Sequence, residues 1–251
     1  MGDAEDRERA EKVWPLIIVG AGAAGLLAAI FAARAGARTL LLETRREPGA
    51  KIRASGGGRC NVLPSAVSPA DFHTDGSPHA LRNILASWPL AQAREFFERD
   101  LGVPLKQEET GKLFPADDDP RRIVQALLAA ADRAGATLWG EARVAEVRVA
   151  EVRVAEGPAA SGAGGAGGAD AGGSRAGGAT GARFELATAG GGRLLCRRLI
   201  LATGGRSLPK TGSDGHGYWL AASLGHALVP PYPALVPLLG GDAAWHDLAG
   251  L

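Results

Sequence analysis

The spacing of apolar and polar positions changes character several times along the chain, and the changes predict elements. Trp14 to Val19 is a short apolar run rich in branched side chains, which predicts a buried strand. Gly22 to Ala35 is alanine-rich and predicts a helix, closed by Gly36. Thr39 to Leu42 is a second apolar strand that ends on an acid, Glu43. Strand, helix and strand in this order form a βαβ unit, the signature of an α/β protein with a mostly parallel sheet.

Beyond that unit, Glu47 to Asn61 is glycine-rich, and its composition argues for a loop with no regular element over Ser55 to Cys60. Pro89 opens a helical pattern to about Asp100, with Leu90, Ala93, Phe96 and Phe97 on one face. A second helix starts where Asp119 can cap and Pro120 can take the first turn, and runs to Ala134 before Gly135. Between Ala136 and Val154 the repeat Val-Arg-Val-Ala-Glu alternates apolar and charged residues with the period of a half-buried strand, which is favoured, while its alanine and glutamate leave a helix open. Residues 157–182 are almost wholly Gly, Ala and Ser, too poor in large apolar groups to offset their ordering entropy, and predict a flexible loop between two hairpin strands. Phe184 to Leu186 and Leu194 to Thr203 read as strands, Tyr218 to Leu224 as a helix, and residues 230–237 as a proline-rich extended stretch. Residues 1–12 are expected to be a disordered or helical leader, 13–228 a dinucleotide-binding domain, and 229–251 the start of a further domain.

Composition narrows the function classes. The 251 residues are 46% apolar, enough for a core, and 28 basic residues nearly cancel 27 acidic ones, leaving a net charge of +1. No basic run supplies the footprint that nucleic acid requires, so a small-molecule substrate is expected and no nucleic-acid partner. Cys60 and Cys196 stand far apart, outside any CxxC or Cys/His cluster, which excludes a disulfide framework and predicts no metal site; a reducing cytoplasm fits. The uncharged stretch Leu16 to Ala33 is long enough to imitate a membrane span, but the segment before it mixes acids with bases and its glycines have another explanation. No membrane partner is therefore expected. The sequence does not define an oligomeric state.

That explanation is the run Gly20-Ala21-Gly22-Ala23-Ala24-Gly25, which matches G-x-G-x-x-G between a strand and a helix. Gly20 permits the tight turn, Gly22 lets a pyrophosphate approach the backbone, and Gly25 lets helix and strand pack closely. Glu43 ends the next strand about twenty residues later, where a carboxylate accepts from ribose hydroxyls and repels a 2′-phosphate. The fingerprint leaves FAD and NAD both open, and a glycine turn in an unliganded α/β unit remains the alternative. Downstream, Lys51 and Arg59 bracket Ser55-Gly56-Gly57-Gly58, a turn whose amides can approach a ligand while the two cations neutralise a pyrophosphate. Cys60 has no partner cysteine or neighbouring histidine, so it is expected to be packed or to contact a cofactor. Ala202-Thr203-Gly204-Gly205 ends a strand with residues small enough for close approach, and Val144 is expected to offer its backbone to an adenine ring.

The segment from Lys51 through Ser55-Gly56-Gly57-Gly58-Arg59-Cys60-Asn61 resembles the K-x-x-x-S-G-G-G-R-C-N signature of a family of NAD(P)/FAD-dependent oxidoreductases. That family includes aminoacetone oxidase and a bile-acid dehydrogenation-pathway reductase. The likeness continues in Lys112 to Pro115, Ala202 to Gly205, Pro209 to Tyr218, Leu224 to His226 and residues 233–238. It implies a Rossmann-type FAD-binding domain, a three-layer structure whose mostly parallel sheet carries a β-meander. It implies FAD as cofactor, NAD(P)H as an electron donor, and hydride transfer through the flavin. It implies that Gly20, Gly22, Ala23, Ala24, Gly25, Glu43, Lys51, Ser55 to Asn61, Val144, Thr203, Gly204 and Gly205 surround the cofactor. It also implies that this chain is the amino-terminal part of such a protein, its carboxy-terminal part being absent. Two readings from other classes stay open: a truncated, inactive dinucleotide-binding chain, and an NAD-dependent dehydrogenase. No catalytic acid, base or nucleophile is identifiable.

Overall fold

The computed structural model describes residues 13–73, 77–150 and 183–233. The leader 1–12, the Gly/Ala-rich stretch 157–182 and the segment 234–251 lie outside the described residues. Nine strands and six α-helices are described. In chain order they are β1 (Trp14–Val19), α1 (Ala23–Arg34), β2 (Thr39–Leu42), α2 (Ala50–Gly58), β3 (Leu63–Pro64), α3 (Pro78–Ser87) and α4 (Leu90–Glu95). There follow β4 (Leu105–Gln107), β5 (Lys112–Pro115), α5 (Pro120–Arg133), β6 (Thr137–Trp139), β7 (Val144–Ala150), β8 (Arg183–Thr188), β9 (Arg193–Leu201) and α6 (His216–Ser223).

The main sheet has six strands in the order β6-β2-β1-β9-β8-β7. The first four run parallel and the last three form an antiparallel meander. Because successive side chains of a strand face opposite ways, β1 feeds two cores. Leu16 and Ile18 pack with Leu26, Ile30, Ile123 and Leu127 of α1 and α5. Ile17 and Val19 pack on the other face with Val144, Leu186, Leu194 and Leu220, a cluster that Trp14 joins at the start of the strand. The fold is thus three-layered and Rossmann-type, as the resemblance implies.

Register sets the site. Val19 lies level with Leu42 on one side and Leu201 on the other, so the chain leaves β1, β2 and β9 at one edge of the sheet. Gly20 N–H donates to Leu42 O (2.7 Å) and Ala202 N–H to Val19 O (2.8 Å), which brings Gly20, Glu43 and Ala202 together. In open α/β sheets that carboxyl edge, beside the strand where the order reverses, is where ligands bind.

Three expectations need correction. Residues 47–61 are not all loop: Ala50 to Ala54 begin α2, and Ser55, Gly56, Gly57 and Gly58 leave right-handed helical geometry. Alanine and lysine at the start of the stretch favour helix, and composition averaged over the glycines hides them. The helix from Pro89 divides into α4 and a π-helical turn, Phe96–Asp100, closed by Leu101 N–H to Phe96 O. The alternating stretch after Ala136 is two strands, separated where Gly140 and a left-handed Glu141 turn the chain; β6 pairs parallel with β2 and β7 antiparallel with β8. Helix α3, started by Ser77 accepting from Ala80 N–H with Pro78 in the first turn, and the small sheet β3-β5-β4 are absent from the sequence reading.

Candidate functional site

A cavity of about 370 Å³ opens at the carboxyl edge of β1, β2 and β9. One side is polar and glycine-rich: Gly20, Gly22, Ala23, Ala24, Glu43, Thr44, Arg45, Lys51, Thr203, Gly204 and Ser213. The other is apolar: Leu27, Ile52, Val62, Phe97, Ile123 and Leu127, with Ser55, Cys60 and Asn61 between.

The three fingerprint glycines do different work. A Cβ on Gly20 would lie 2.5 Å from Ala202 O, and Gly20 has φ +104°. A Cβ on Gly25 would lie 1.8 Å from Gly20 O, so Gly25 supports the turn from beneath rather than facing the cavity. Gly22, at the amino end of α1, has an ordinary φ of −80° and, among the described residues, no atom within 4 Å of its Cβ position. The fold therefore tolerates a side chain at Gly22, and only something in the cavity would forbid one.

Glu43 is fixed by two backbone donors. Ala21 N–H donates to Oε2 (2.8 Å) and Arg45 N–H to Oε1 (2.9 Å). Each carboxylate oxygen keeps acceptor capacity for a further donor. Lys51 donates to Ser207 Oγ (3.1 Å) and Arg45 to Lys210 O (2.8 Å), both neutral partners. Burial without a compensating anion lowers the Lys51 pKa. Ser213 is buried beside Gly204, and Lys51 Nζ lies near the same glycine. Burial pushes the Cys60 thiol up, against a hydrogen bond with Ser55, so Cys60 is not an activated nucleophile.

A profile described as the HI0933-like protein Rossmann domain matches residues 14–160. The chain belongs to the HI0933-like family. It is 31% identical to the 3-dehydro-bile acid delta(4,6)-reductase of Clostridium scindens over 88% of this chain and 46% of that protein. It is 29% identical to the ribosomal RNA dihydrouridine synthase of Escherichia coli over 88% of this chain and 47% of that one. The chain thus spans about half the length of these curated relatives. Among solved structures it is similar to L-proline dehydrogenase from P. horikoshii, with 12% identity, a TM-score of 0.49, and coverage of 88% of this chain and 58% of that one.

The structure gathers Gly20, Gly22, Ala23, Ala24, Glu43, Lys51, Ser55, Cys60, Asn61, Thr203 and Gly204 around one cavity. Other residues singled out by the HI0933-like resemblance lie elsewhere. Gly56, Gly57 and Gly58 have φ between +59° and +83° and do not line the cavity; the turn itself requires glycine there. Arg59 is not among the residues lining the cavity: it pairs with Glu108 and Asp118 and lies over the Phe114 ring. Val144 is 2% exposed, and its carbonyl pairs with His216 Nε2 at 3.0 Å. Gly205 packs beside the Tyr218 hydroxyl. Sequence reasoning missed Arg45, Gly49, Thr211, Gly212 and Ser213. Arg45 reads as a solvated loop residue, and the others reach the cavity only through contacts distant in sequence.

Proposed function

We propose that this chain holds FAD as part of a flavin-dependent oxidoreductase acting on a small-molecule substrate. Gly22 carries the reading, because its empty Cβ position opens onto the cavity that also holds Glu43 and Lys51. Gly20, Gly22, Ala23 and Ala24 would meet the pyrophosphate at the amino end of α1, where free amides and the helix dipole favour an anion. Glu43 would accept from the ribose hydroxyls, and a phosphate beside Lys51 would restore the charge that burial disfavours. Ser55, Cys60, Asn61, Thr203 and Gly204 form the remaining polar wall. Leu27, Ile52, Phe97 and Leu127 keep water from the apolar side.

Bound there, FAD would supply two-electron hydride exchange. A delta(4,6)-reductase and a dihydrouridine synthase are both named for adding hydrogen across a ring double bond. Reduction of a carbon–carbon double bond conjugated to a carbonyl, with NAD(P)H as donor, is the reaction class proposed for the whole protein. Residues 13–228 are assigned to the FAD-binding domain, working in the cytoplasm.

The test is mass spectrometry of the copurifying cofactor followed by FAD titration of the chain and of Glu43→Arg. The substitution removes the ribose acceptor and adds a cation, and is expected to weaken binding by about 2 kcal/mol, roughly thirtyfold. Unchanged affinity would refute the ribose assignment. A copurified NAD in place of FAD would overturn the choice of cofactor.

A further inference from the structure

Arg59, unlike Lys51, does not line the cavity, and its partners are specific. Its guanidinium forks onto Glu108, with Nη1 to Oε1 as the closer contact and Nη2 to Oε2 at 3.4 Å. Nη1 also lies 3.6 Å from Asp118 Oδ1. The guanidinium carbon sits 4.3 Å from the centre of the Phe114 ring. Asp118 Oδ2 pairs with Lys106, whereas Asp118 Oδ1 is buried and, among the described residues, has no hydrogen-bond partner and the Arg59 charge alone beside it. Glu108 follows β4, Phe114 is in β5 and Asp118 follows β5, so one hairpin supplies every group that holds Arg59.

Two non-glycine residues in this arrangement have left-handed backbones, Cys60 at φ +64° and Asp118 at φ +55°. Such conformations persist only where their surroundings over-determine them, and they concentrate at functional sites. Cys60 follows Arg59 directly and, with Asn61, forms part of the cavity wall. The segment is tied twice more: Cys60 N–H donates to Ser55 O (2.9 Å) and Val62 N–H to Leu113 O (2.8 Å).

We propose that Arg59, Glu108 and Asp118 are positioning residues, a latch by which the β4–β5 hairpin holds Cys60 and Asn61 in the cavity wall that receives the ring-bearing end of FAD. This rests on the FAD reading above. ADP shares the adenosine and diphosphate of FAD and lacks its ring, so it depends on the Gly20 to Ala24 turn and Glu43 and not on the latched wall.

The experiment uses the 251-residue chain, its Glu108→Gln and Asp118→Asn double variant, and Glu108→Gln alone in case the double variant does not fold. Both replacements keep shape and remove charge. Native-state labelling by N-ethylmaleimide is followed at Cys60, with fully buried Cys196 as internal control. The latch variants are expected to label Cys60 about tenfold faster and to bind FAD about tenfold more weakly, the scale of a lost charge-assisted hydrogen bond. Cys196 labelling and ADP affinity stay within about twofold, well inside that scale. Unchanged Cys60 labelling in a folded variant overturns the latch, and so does equal weakening of ADP and FAD, which marks general damage. If the unaltered chain binds neither ADP nor FAD, the cofactor reading falls, and the labelling arm still decides whether the latch exists.

Discussion

Two glycine-rich turns stand close together, Gly20 to Gly25 and Ser55 to Asn61, and they use glycine for opposite reasons. In the first, a fold requirement and a ligand requirement fall on different residues: Gly20 and Gly25 are forced by backbone oxygens 2.5 and 1.8 Å from where a Cβ would stand, while Gly22 faces open cavity. In the second, Gly56, Gly57 and Gly58 are all left-handed, and Gly57 and Gly58 have no atom within 4 Å of a Cβ position, yet none of the three lines the cavity. There the residues flanking the glycines, Lys51, Ser55, Cys60 and Asn61, make the wall. A glycine motif thus reports a backbone constraint first, and a ligand only where conformation and packing leave the glycine otherwise unexplained.

The largest effect separates the two turns by stability. Gly25→Ala places a methyl against Gly20 O with backbone on both sides, so the turn or α1 must move. The expected loss is about 3 kcal/mol or more of unfolding free energy, the range of overpacked and strained core positions. Urea denaturation measures it. A loss below about 1 kcal/mol would show that the turn is not close-packed and would dissolve the distinction between Gly25 and Gly22.

Next is Gly22→Val, which inverts the pattern. The backbone at Gly22 is compatible with a side chain and the Cβ meets nothing, so the denaturation midpoint should hold. The same side chain fills the space through which a pyrophosphate reaches the amides, and FAD affinity should fall at least about a hundredfold. Titration of the folded variant checks both. Normal flavin binding would place the phosphates elsewhere.

Legibility follows the same division. The βαβ unit could be read because two apolar runs and an alanine-rich helix carry their own periods, and Glu43 was placed by spacing. The helix at Asp119 and Pro120 announces itself through its cap: Asp119 accepts from Arg121 N–H at 2.9 Å. What was hidden is what depends on partners far along the chain. The pairing of Arg59 with Glu108 and Asp118, contributed by the β4–β5 hairpin, has no signature in the sequence around Arg59. Val144 is expected to offer its backbone to an adenine ring, and the pairing of its carbonyl with His216, 72 residues away, could not be read from the sequence around it. The π-helical turn that sets Phe97 in the wall has no signature in apolar spacing, since Phe96 and Phe97 satisfy an α-helical pattern equally well.

The smallest effect tests the second turn where the comparison is most exposed. Gly57 has φ +67°, no atom near its Cβ position and no place in the cavity lining. Gly57→Ala therefore meets no clash, and its cost is the intrinsic penalty of an L-residue in the left-handed region, about 1 kcal/mol. Part of the strain is relieved by the stiffer unfolded chain, because alanine has fewer conformations to lose than glycine. Denaturation should show that modest loss, with FAD affinity within about twofold of the unaltered chain, since no amide or side chain of the cavity wall is displaced. A Gly57→Ala variant that keeps its stability and loses FAD would mean that the second turn closes on the ligand after all, as the first does at Gly22. The two turns would then differ in geometry and not in purpose.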